Sequence, residues 1–161
     1  MTQLRIGVLT CSDTRSRGEA TDTAGEALRT LIEQSGWTVA DYRVCADDRA
    51  TIGAAIAEVC DSGAVDVLLT CGGTGLSLRD VTPEATMDAC DRAVPGIAEY
   101  IRAESVRVTP RAILSRATAG QRGRAVVINL PGSQKAARET FGFVASQLEH
   151  AVEMANGGGH G

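Results

Sequence analysis

The sequence predicts an α/β fold: a doubly wound, mostly parallel sheet with helices on both faces. Apolar runs at residues 4–10, 65–70 and 125–129 have the length of buried strands, and a further strand is predicted at residues 37–44. Helical spacing of apolar residues separates the first three strands along the chain, which gives the order βαβαβ. Parallel strands need crossover connections, and the crossover helices cover both faces of the sheet.

In the first half of the chain, helices alternate with strands. The strand at residues 4–10 leads into a polar loop, and a helix with one apolar face is predicted at residues 21–36, where Gly36 provides a stop. A second helix, with an apolar face at residues 52–59, follows the strand at residues 37–44. The strand at residues 65–70 runs directly into a glycine-rich loop.

The second half is predicted to be mainly helical. Pro83 suits the first turn of a helix at residues 82–90, with Thr82 as its cap, and another helix is predicted at residues 95–106. Residues 112–124 are interpreted as irregular or as a hairpin, because Gly120 and Gly123 suit turns. After the strand at residues 125–129, a long helix at residues 135–154 closes the fold.

The bulk properties indicate one ordinary domain, which we assign to residues 1–155, followed by a disordered tail at residues 156–161. No apolar run approaches the roughly 18 residues of a membrane helix, and the first residues lack a signal-peptide pattern, so we expect a cytoplasmic protein without membrane contact. A net charge of -4 argues against nucleic-acid binding.

The chain has five cysteines without a CxxC pair, and we expect reduced thiols. Cys11, Cys45 and Cys71 each fall near the end of a predicted strand, where three thiols could converge on a soft metal. Cysteine is also a common small buried residue at such positions, and we favour that interpretation.

Polar and glycine residues follow the predicted strands at the point where each strand ends. In a doubly wound sheet, ligands bind outside the carboxyl ends of the strands, so these loops are where a site is expected. The loops contain Ser12 and Asp13, then Asp47 and Asp48, then residues 72–80, and finally residues 129–133.

The loop at residues 72–75 has the sequence Gly-Gly-Thr-Gly, in which backbone N–H groups can approach an anion because no β-carbon blocks the turn. A tight structural turn explains the same string equally well. The loop matches neither the P-loop nor the dinucleotide-binding pattern. Arg79 and Asp80 follow in the sequence, at a position where they could contact a phosphate and a hydrated Mg²⁺. Asp80 could equally cap a helix.

Three further features could belong to a nucleotide site. Asp47 or Asp48 could face Asp80 and share Mg²⁺ with it, unless it caps the following helix. Residues 129–133 turn from a strand into the N-terminus of a long helix, which favours an anion, while Ser133 could also be the N-cap. Ser115 and Arg116 add a hydroxyl and a guanidinium, or simply decorate the surface.

With these residues the sequence resembles the MogA/MoaB family, whose domain also occurs in gephyrin. The resemblance covers almost the whole chain, and its most specific part is the string at residues 72–85. The remaining matches are residues 10–13, Asp22, Gly25, Asp47, Pro95, Gly96, Ser115, Arg116 and residues 129–133.

The resemblance implies a molybdopterin adenylyltransferase, which transfers AMP from Mg-ATP to molybdopterin in molybdenum cofactor biosynthesis. It implies ATP as co-substrate, Mg²⁺, a homotrimer or hexamer and a molybdate-inserting partner protein. By position, Asp47 and Asp80 match the family's catalytic and metal-binding acids. The residues implied to bind molybdopterin or ATP are Ser12, Asp13, Gly72, Gly73, Thr74, Gly75, Arg79, Ser115, Arg116, Asn129, Pro131, Gly132 and Ser133.

The chain departs from the family's pattern at Ala46, Cys71 and Gln134, which lie beside the acids and glycines. Two other functions remain open on the sequence. One is a non-catalytic member that binds molybdopterin or a partner protein as a scaffold. The other is a nucleotide hydrolase resembling the CinA-type domain, which shares the fold and the glycine loop.

Overall fold

A computed structural model describes residues 3–158, which fold around one six-stranded sheet. The strands are β1 (Arg5–Cys11), β2 (Thr38–Cys45), β3 (Val67–Cys71), β4 (Arg92–Ala93), β5 (Ala119–Arg122) and β6 (Ala125–Leu130). Their order in the sheet is β2-β1-β3-β6-β5-β4. The first four strands in this order run parallel, whereas β5 is antiparallel to β6 and β4 is antiparallel to β5. The predicted doubly wound, mostly parallel sheet is therefore confirmed.

Helices cover both faces because the side chains of each central strand alternate between two apolar clusters. The helices are α1 (Asp13–Ser16), α2 (Thr23–Gln34), α3 (Arg49–Asp61), α4 (Thr82–Ala89), α5 (Pro95–Val108) and α6 (Gln134–Ala155), with a 3₁₀ helix at Pro110–Leu114. In β1, Ile6 and Val8 point to a cluster formed with α2, α5 and α6, while Leu9 and Cys11 point to a second cluster formed with α3 and α4.

Three local interpretations need correction. The polar loop predicted after β1 contains the short helix α1, and the two-residue strand β4 was not predicted, because elements this short show no periodicity. Thr82 is not a cap: α4 is preceded by Val81, and no side chain caps it. The hairpin alternative holds for β5 and β6, which turn at Gly123 with a φ of 56°.

The chain continues past α6 as an ordered turn. Asn156 donates its side-chain amide to the carbonyl of Val152 at 2.8 Å, and Gly157 has a φ of 84°. Of the tail predicted at residues 156–161, residues 159–161 lie outside the described residues. Within residues 3–158, no helix combines the length and apolarity needed to cross a bilayer.

Candidate functional site at the carboxyl ends of the strands

The glycine turn, residues 72–75, lies at the carboxyl end of β3 and depends on its glycines. Gly72 and Gly73 have φ values of 98° and 69°, which side chains other than glycine rarely adopt. A β-carbon at Gly72 would collide with the carbonyl oxygen of Cys11. A β-carbon at Gly132 would lie 3.1 Å from the Cα atom of Gly72. The turn is therefore wedged between the end of β1 and the loop after β6.

The glycine turn presents unsatisfied backbone donors. Among residues 3–158, the N–H groups of Gly73, Thr74 and Gly75 donate no hydrogen bond, whereas Gly72 donates to the carbonyl of Leu130 at 3.1 Å. Consecutive free amides beside left-handed glycines form a concavity that suits an anion. The turn thus has the geometry of an anion cradle.

The two acids that follow β2 have separate roles. Asp48 is the N-cap of α3, because its carboxylate accepts hydrogen bonds from the N–H of Thr51 at 2.9 Å and from the Thr51 hydroxyl at 2.7 Å. Asp47 is instead linked to Asp13: each residue donates its backbone N–H to the other's carboxylate, at 3.0 Å in both directions. Capping by Asp48 leaves Asp47 to face the rim, so the two alternatives left open by the sequence are resolved.

Asp47 and Asp80 both border the glycine turn. Oxygen Oδ1 of Asp47 is buried without a hydrogen-bond partner and would lie 3.3 Å from a β-carbon at Gly73. Oxygen Oδ2 of Asp80 accepts from the N–H of Ser77 at 3.1 Å and would lie 2.9 Å from a β-carbon at Gly75. Burial raises the pKa of Asp47, and the negative charges of Asp13 and Asp80 raise it further. The sequence-predicted acids therefore meet at one rim.

Arg79 closes the outer side of the acid group. Its Nε and Nη2 atoms donate to the two carboxylate oxygens of Asp13, both at 3.0 Å, and this hydrogen-bonded pair lowers the pKa of Asp13. The Arg79 side chain is 63% exposed. An exposed arginine on a flexible stem can exchange this carboxylate for a phosphate without leaving a buried charge unpaired.

The loop after β6 is fixed by a residue that the sequence did not single out. Arg15, on α1, donates to the carbonyl of Gly132 at 3.1 Å and lies 3.7 Å from the carboxylate of Asp22. Arg15 lies in a polar segment without a periodic pattern, so the sequence gave no sign of this role.

Ser133 is the N-cap of α6, which was one of its two predicted roles. Its hydroxyl accepts a hydrogen bond from the N–H of Ala136 at 3.2 Å.

Asn129 lies in the core rather than on the rim. Its side chain is 0% exposed, and its amide nitrogen donates to the hydroxyls of Thr70 and Thr86, both at 2.9 Å. Its side-chain oxygen accepts from the N–H of Thr118 at 3.1 Å. Any effect of Asn129 on a ligand must therefore be transmitted through these neighbours.

Ser115 and Arg116 lie behind the glycine turn. The N–H of Arg116 donates to the carbonyl of Thr74 at 2.8 Å, so this segment runs beside the turn. A cavity of about 230 Å³, mostly apolar, opens next to it, and its lining includes Thr74, Ser115 and Pro131. The cavity adjoins the glycine turn through Thr74.

The three strand-end cysteines do not converge. Cys11 and Cys45 are register partners on β1 and β2, whereas Cys71 belongs to the apolar cluster on the other face, where it contacts the Thr10 hydroxyl at 3.1 Å. Burial raises the pKa of the Cys71 thiol to about 12. No group of three metal-ligating side chains occurs within residues 3–158. Cys11 and Cys71 are buried, as the favoured interpretation expects, whereas Cys45 is half-buried.

The rim nevertheless fits Mg²⁺. The unpaired Oδ1 of Asp47 and the carboxylate of Asp80 border the same turn, and Mg²⁺ is usually held by one or two carboxylates with waters and substrate phosphates. Two acids without a third protein ligand are what such an ion requires. The donor set is thus suitable for an ion that arrives with a nucleotide.

The fold and rim define an α/β protein with a candidate strand-end site whose geometry suits an anion. A family described as a probable molybdopterin binding domain matches residues 7–150. Over 159 residues the chain is 37% identical to the molybdopterin adenylyltransferase of Helicobacter pylori J99, covering 98% of this chain and 90% of that protein. It is 38% identical over 143 residues to the molybdopterin adenylyltransferase of Escherichia coli K12, covering 88% and 73%.

A solved structure supports the same relationship. The molybdopterin biosynthesis enzyme MoaB from Thermus thermophilus superposes with a TM-score of 0.90 at 44% identity, covering 96% of this chain and 98% of that chain. The chain belongs to the molybdopterin-binding family. The resemblance to MogA/MoaB proteins inferred from the sequence is confirmed.

Proposed function

We propose that this protein is a molybdopterin adenylyltransferase, which transfers AMP from ATP to the terminal phosphate of molybdopterin. Membership of the family and the two adenylyltransferase relatives support this assignment. The structural observation that carries it is the glycine turn, whose free N–H groups lie between the carboxylates of Asp47 and Asp80. Such a rim combines a phosphate cradle with a place for a divalent cation.

In the proposed reaction, a phosphate oxygen of molybdopterin attacks the α-phosphorus of ATP, and the bond to the β-phosphate breaks to release pyrophosphate. Asp47 and Asp80 would hold Mg²⁺, which neutralises charge on the phosphates when bound. The N–H groups of Gly73, Thr74 and Gly75 hold the phosphate chain in place. The protein thus acts by positioning and electrostatic stabilisation, without a nucleophile of its own.

The other predicted site residues receive supporting roles in this proposal. Arg79 shifts from Asp13 to a phosphate, and the first turn of α6 offers its free N–H groups to an anion. One ring system of the two substrates occupies the cavity beside Thr74 and Ser115. The remaining binding positions are Ser12, Pro131, Gly132 and Ser133.

The proposal extends to assembly and location. Leu78 is 98% exposed, and Leu76, Ile113 and Leu114 are also exposed, which favours a homotrimer or hexamer that covers some of this apolar surface. The protein is proposed to act in the cytoplasm, where a molybdate-inserting partner protein would receive its product.

Pyrophosphate release tests the proposed function. Purified protein is mixed with ATP and molybdopterin, with and without Mg²⁺, and both pyrophosphate and adenylylated molybdopterin are quantified. We expect equal amounts of the two products, formed only when molybdopterin and Mg²⁺ are both present. Pyrophosphate or phosphate formation without molybdopterin would indicate a nucleotide hydrolase. Binding of molybdopterin without turnover would indicate a scaffold.

A further inference from the structure

The segment that carries Asp80 has few bonds of its own. Between the glycine turn and α4, residues 76–81 form a loop that contains no helix or strand and is exposed at residues 76–79. Its internal hydrogen bonds are the N–H of Asp80 to the carbonyl of Ser77 at 2.9 Å, the N–H of Ser77 to the Asp80 carboxylate, and the N–H of Arg79 to the Ser77 hydroxyl. A loop held only by these bonds would open at small free-energy cost. Outside the loop, Arg79 pairs with Asp13 at 3.0 Å, but in the proposed function it leaves this partner for a phosphate. Another restraint is therefore required to place the Asp80 carboxylate.

Arg116 supplies that restraint with all three guanidinium nitrogens. Nε donates to the carbonyl of Gly75 at 2.8 Å, and Nη2 donates to the carbonyl of Asp80 at 2.6 Å. These two carbonyls mark the two ends of the exposed loop. The guanidinium therefore ties the end of the glycine turn to the residue that holds the candidate metal-binding carboxylate.

Glu84 orients this arginine from the first turn of α4. Nη1 of Arg116 donates to Oε2 of Glu84 at 2.6 Å, and both side chains are 35% exposed. A planar guanidinium with three points fixed has a single orientation, which an ammonium group on a flexible stem cannot reproduce. The arginine, the two carbonyls and Glu84 thus form a clamp, which we call the Arg116 clamp.

We propose that Arg116 is a positioning residue for adenylyl transfer: the Arg116 clamp holds the glycine turn and Asp80 in the relative geometry that the reaction needs. This inference rests on the proposed function and changes the role expected of Arg116, which the resemblance placed among ligand-binding residues. Each nitrogen is already engaged with the protein, so the guanidinium acts on the substrates through the loop that it holds.

The test uses Arg116→Met, Arg116→Lys and Arg116→Ala, with Glu84→Gln as a milder variant that keeps the arginine. The matched control is Arg122→Met, because Arg122 is also bound to a carboxylate, that of Asp61 at 2.9 Å and 2.8 Å, and to a carbonyl, that of Ala89 at 2.7 Å. Arg122 lies away from the rim. Each protein is measured by hydrogen exchange, thermal unfolding and steady-state adenylyl transfer.

We expect amides of residues 75–82 to exchange about tenfold faster or more in Arg116→Met, with exchange elsewhere unchanged. The kcat is expected to fall by about 10- to 100-fold, because small displacements of positioned groups have effects of this size, while KM for ATP changes little. Arg116→Lys is expected to lose almost as much kcat as Arg116→Met, and Glu84→Gln is expected to lose less. Added guanidinium ion restores part of kcat to Arg116→Ala. Arg122→Met behaves as wild type.

Three results would overturn the inference. A higher KM for ATP with unchanged loop exchange would make Arg116 a direct substrate contact. Faster exchange throughout the protein, or an equal loss in Arg122→Met, would make its role generally structural. If the wild-type protein releases no pyrophosphate, the proposed function fails on its own, and the exchange of residues 75–82 still decides whether the clamp exists.

Discussion

At the scale of single residues, the neighbouring acids of the candidate site have different structural roles. Asp48 caps α3 and Asp47 exchanges backbone hydrogen bonds with Asp13, which leaves one oxygen of Asp47 buried and unpaired. An unpaired buried carboxylate oxygen costs stability, and such costs persist mainly where function requires them. This unpaired oxygen supports the proposed site, which a bound ligand would complete.

Asp80 offers the most direct test of a single residue. We expect Asp80→Ala to lower kcat by about 100-fold or more, because a carboxylate beside the phosphate cradle is removed. The unfolding free energy should change by only about 1 kcal/mol, since the lost contact is one bond to the N–H of Ser77 in an exposed loop. Initial rates of pyrophosphate release and urea unfolding check both expectations.

Asp88→Ala is the control for this substitution, because Asp88 pairs with Arg49 on the surface and lies outside the rim. It should retain normal turnover. Near-normal turnover in Asp80→Ala would reject a catalytic role for Asp80.

At the scale of elements, the glycine turn is a packed junction. Gly72 meets the end of β1 through Cys11 and meets the loop after β6 through Gly132. A change in this turn must therefore disturb two neighbouring strand ends as well as the phosphate cradle.

Replacing Gly72 with alanine should lower the unfolding free energy by more than the cost of a positive φ alone. The left-handed backbone costs about 1–2 kcal/mol for a side chain other than glycine, and the collision with the Cys11 carbonyl should add about 1–3 kcal/mol. Gly63→Ala is the matched control, because Gly63 has a φ of 74° with open space around it. Equal losses of unfolding free energy in the two variants would contradict the packed junction.

The sequence predicted the elements with clear periodicity and missed those without it. The four parallel strands and the helices other than α1 have apolar patterns long enough to recognise, whereas α1 and β4 span 4 and 2 residues. The start of α4 at residue 82 was predicted correctly, but Thr82 was assigned as its cap from its residue type, and the structure gives no side-chain cap there. Local residue preferences are weak where tertiary contacts satisfy the same backbone groups.

At the scale of the whole molecule, the position of the candidate site at one edge of the sheet could be predicted, but many of its side-chain contacts could not. Parallel strands bring their carboxyl ends to one rim, so Asp13, Asp47 and residues 72–80 were expected to meet. The contacts of Arg116 with residues about 40 positions away, and the buried bonds of Asn129, depend on how distant segments pack. No local pattern in the sequence encodes such contacts.

We propose that one rim of the molecule holds a nucleotide between the glycine turn and the two acids. A crystal structure of the protein with Mg²⁺ and a non-hydrolysable ATP analogue tests it directly. We predict phosphate oxygens within hydrogen-bond distance of the N–H groups of Gly73, Thr74 and Gly75, and Mg²⁺ bound by Asp47 or Asp80 together with those phosphates. A triphosphate bound elsewhere on the molecule, with this rim filled only by water, would contradict the claim.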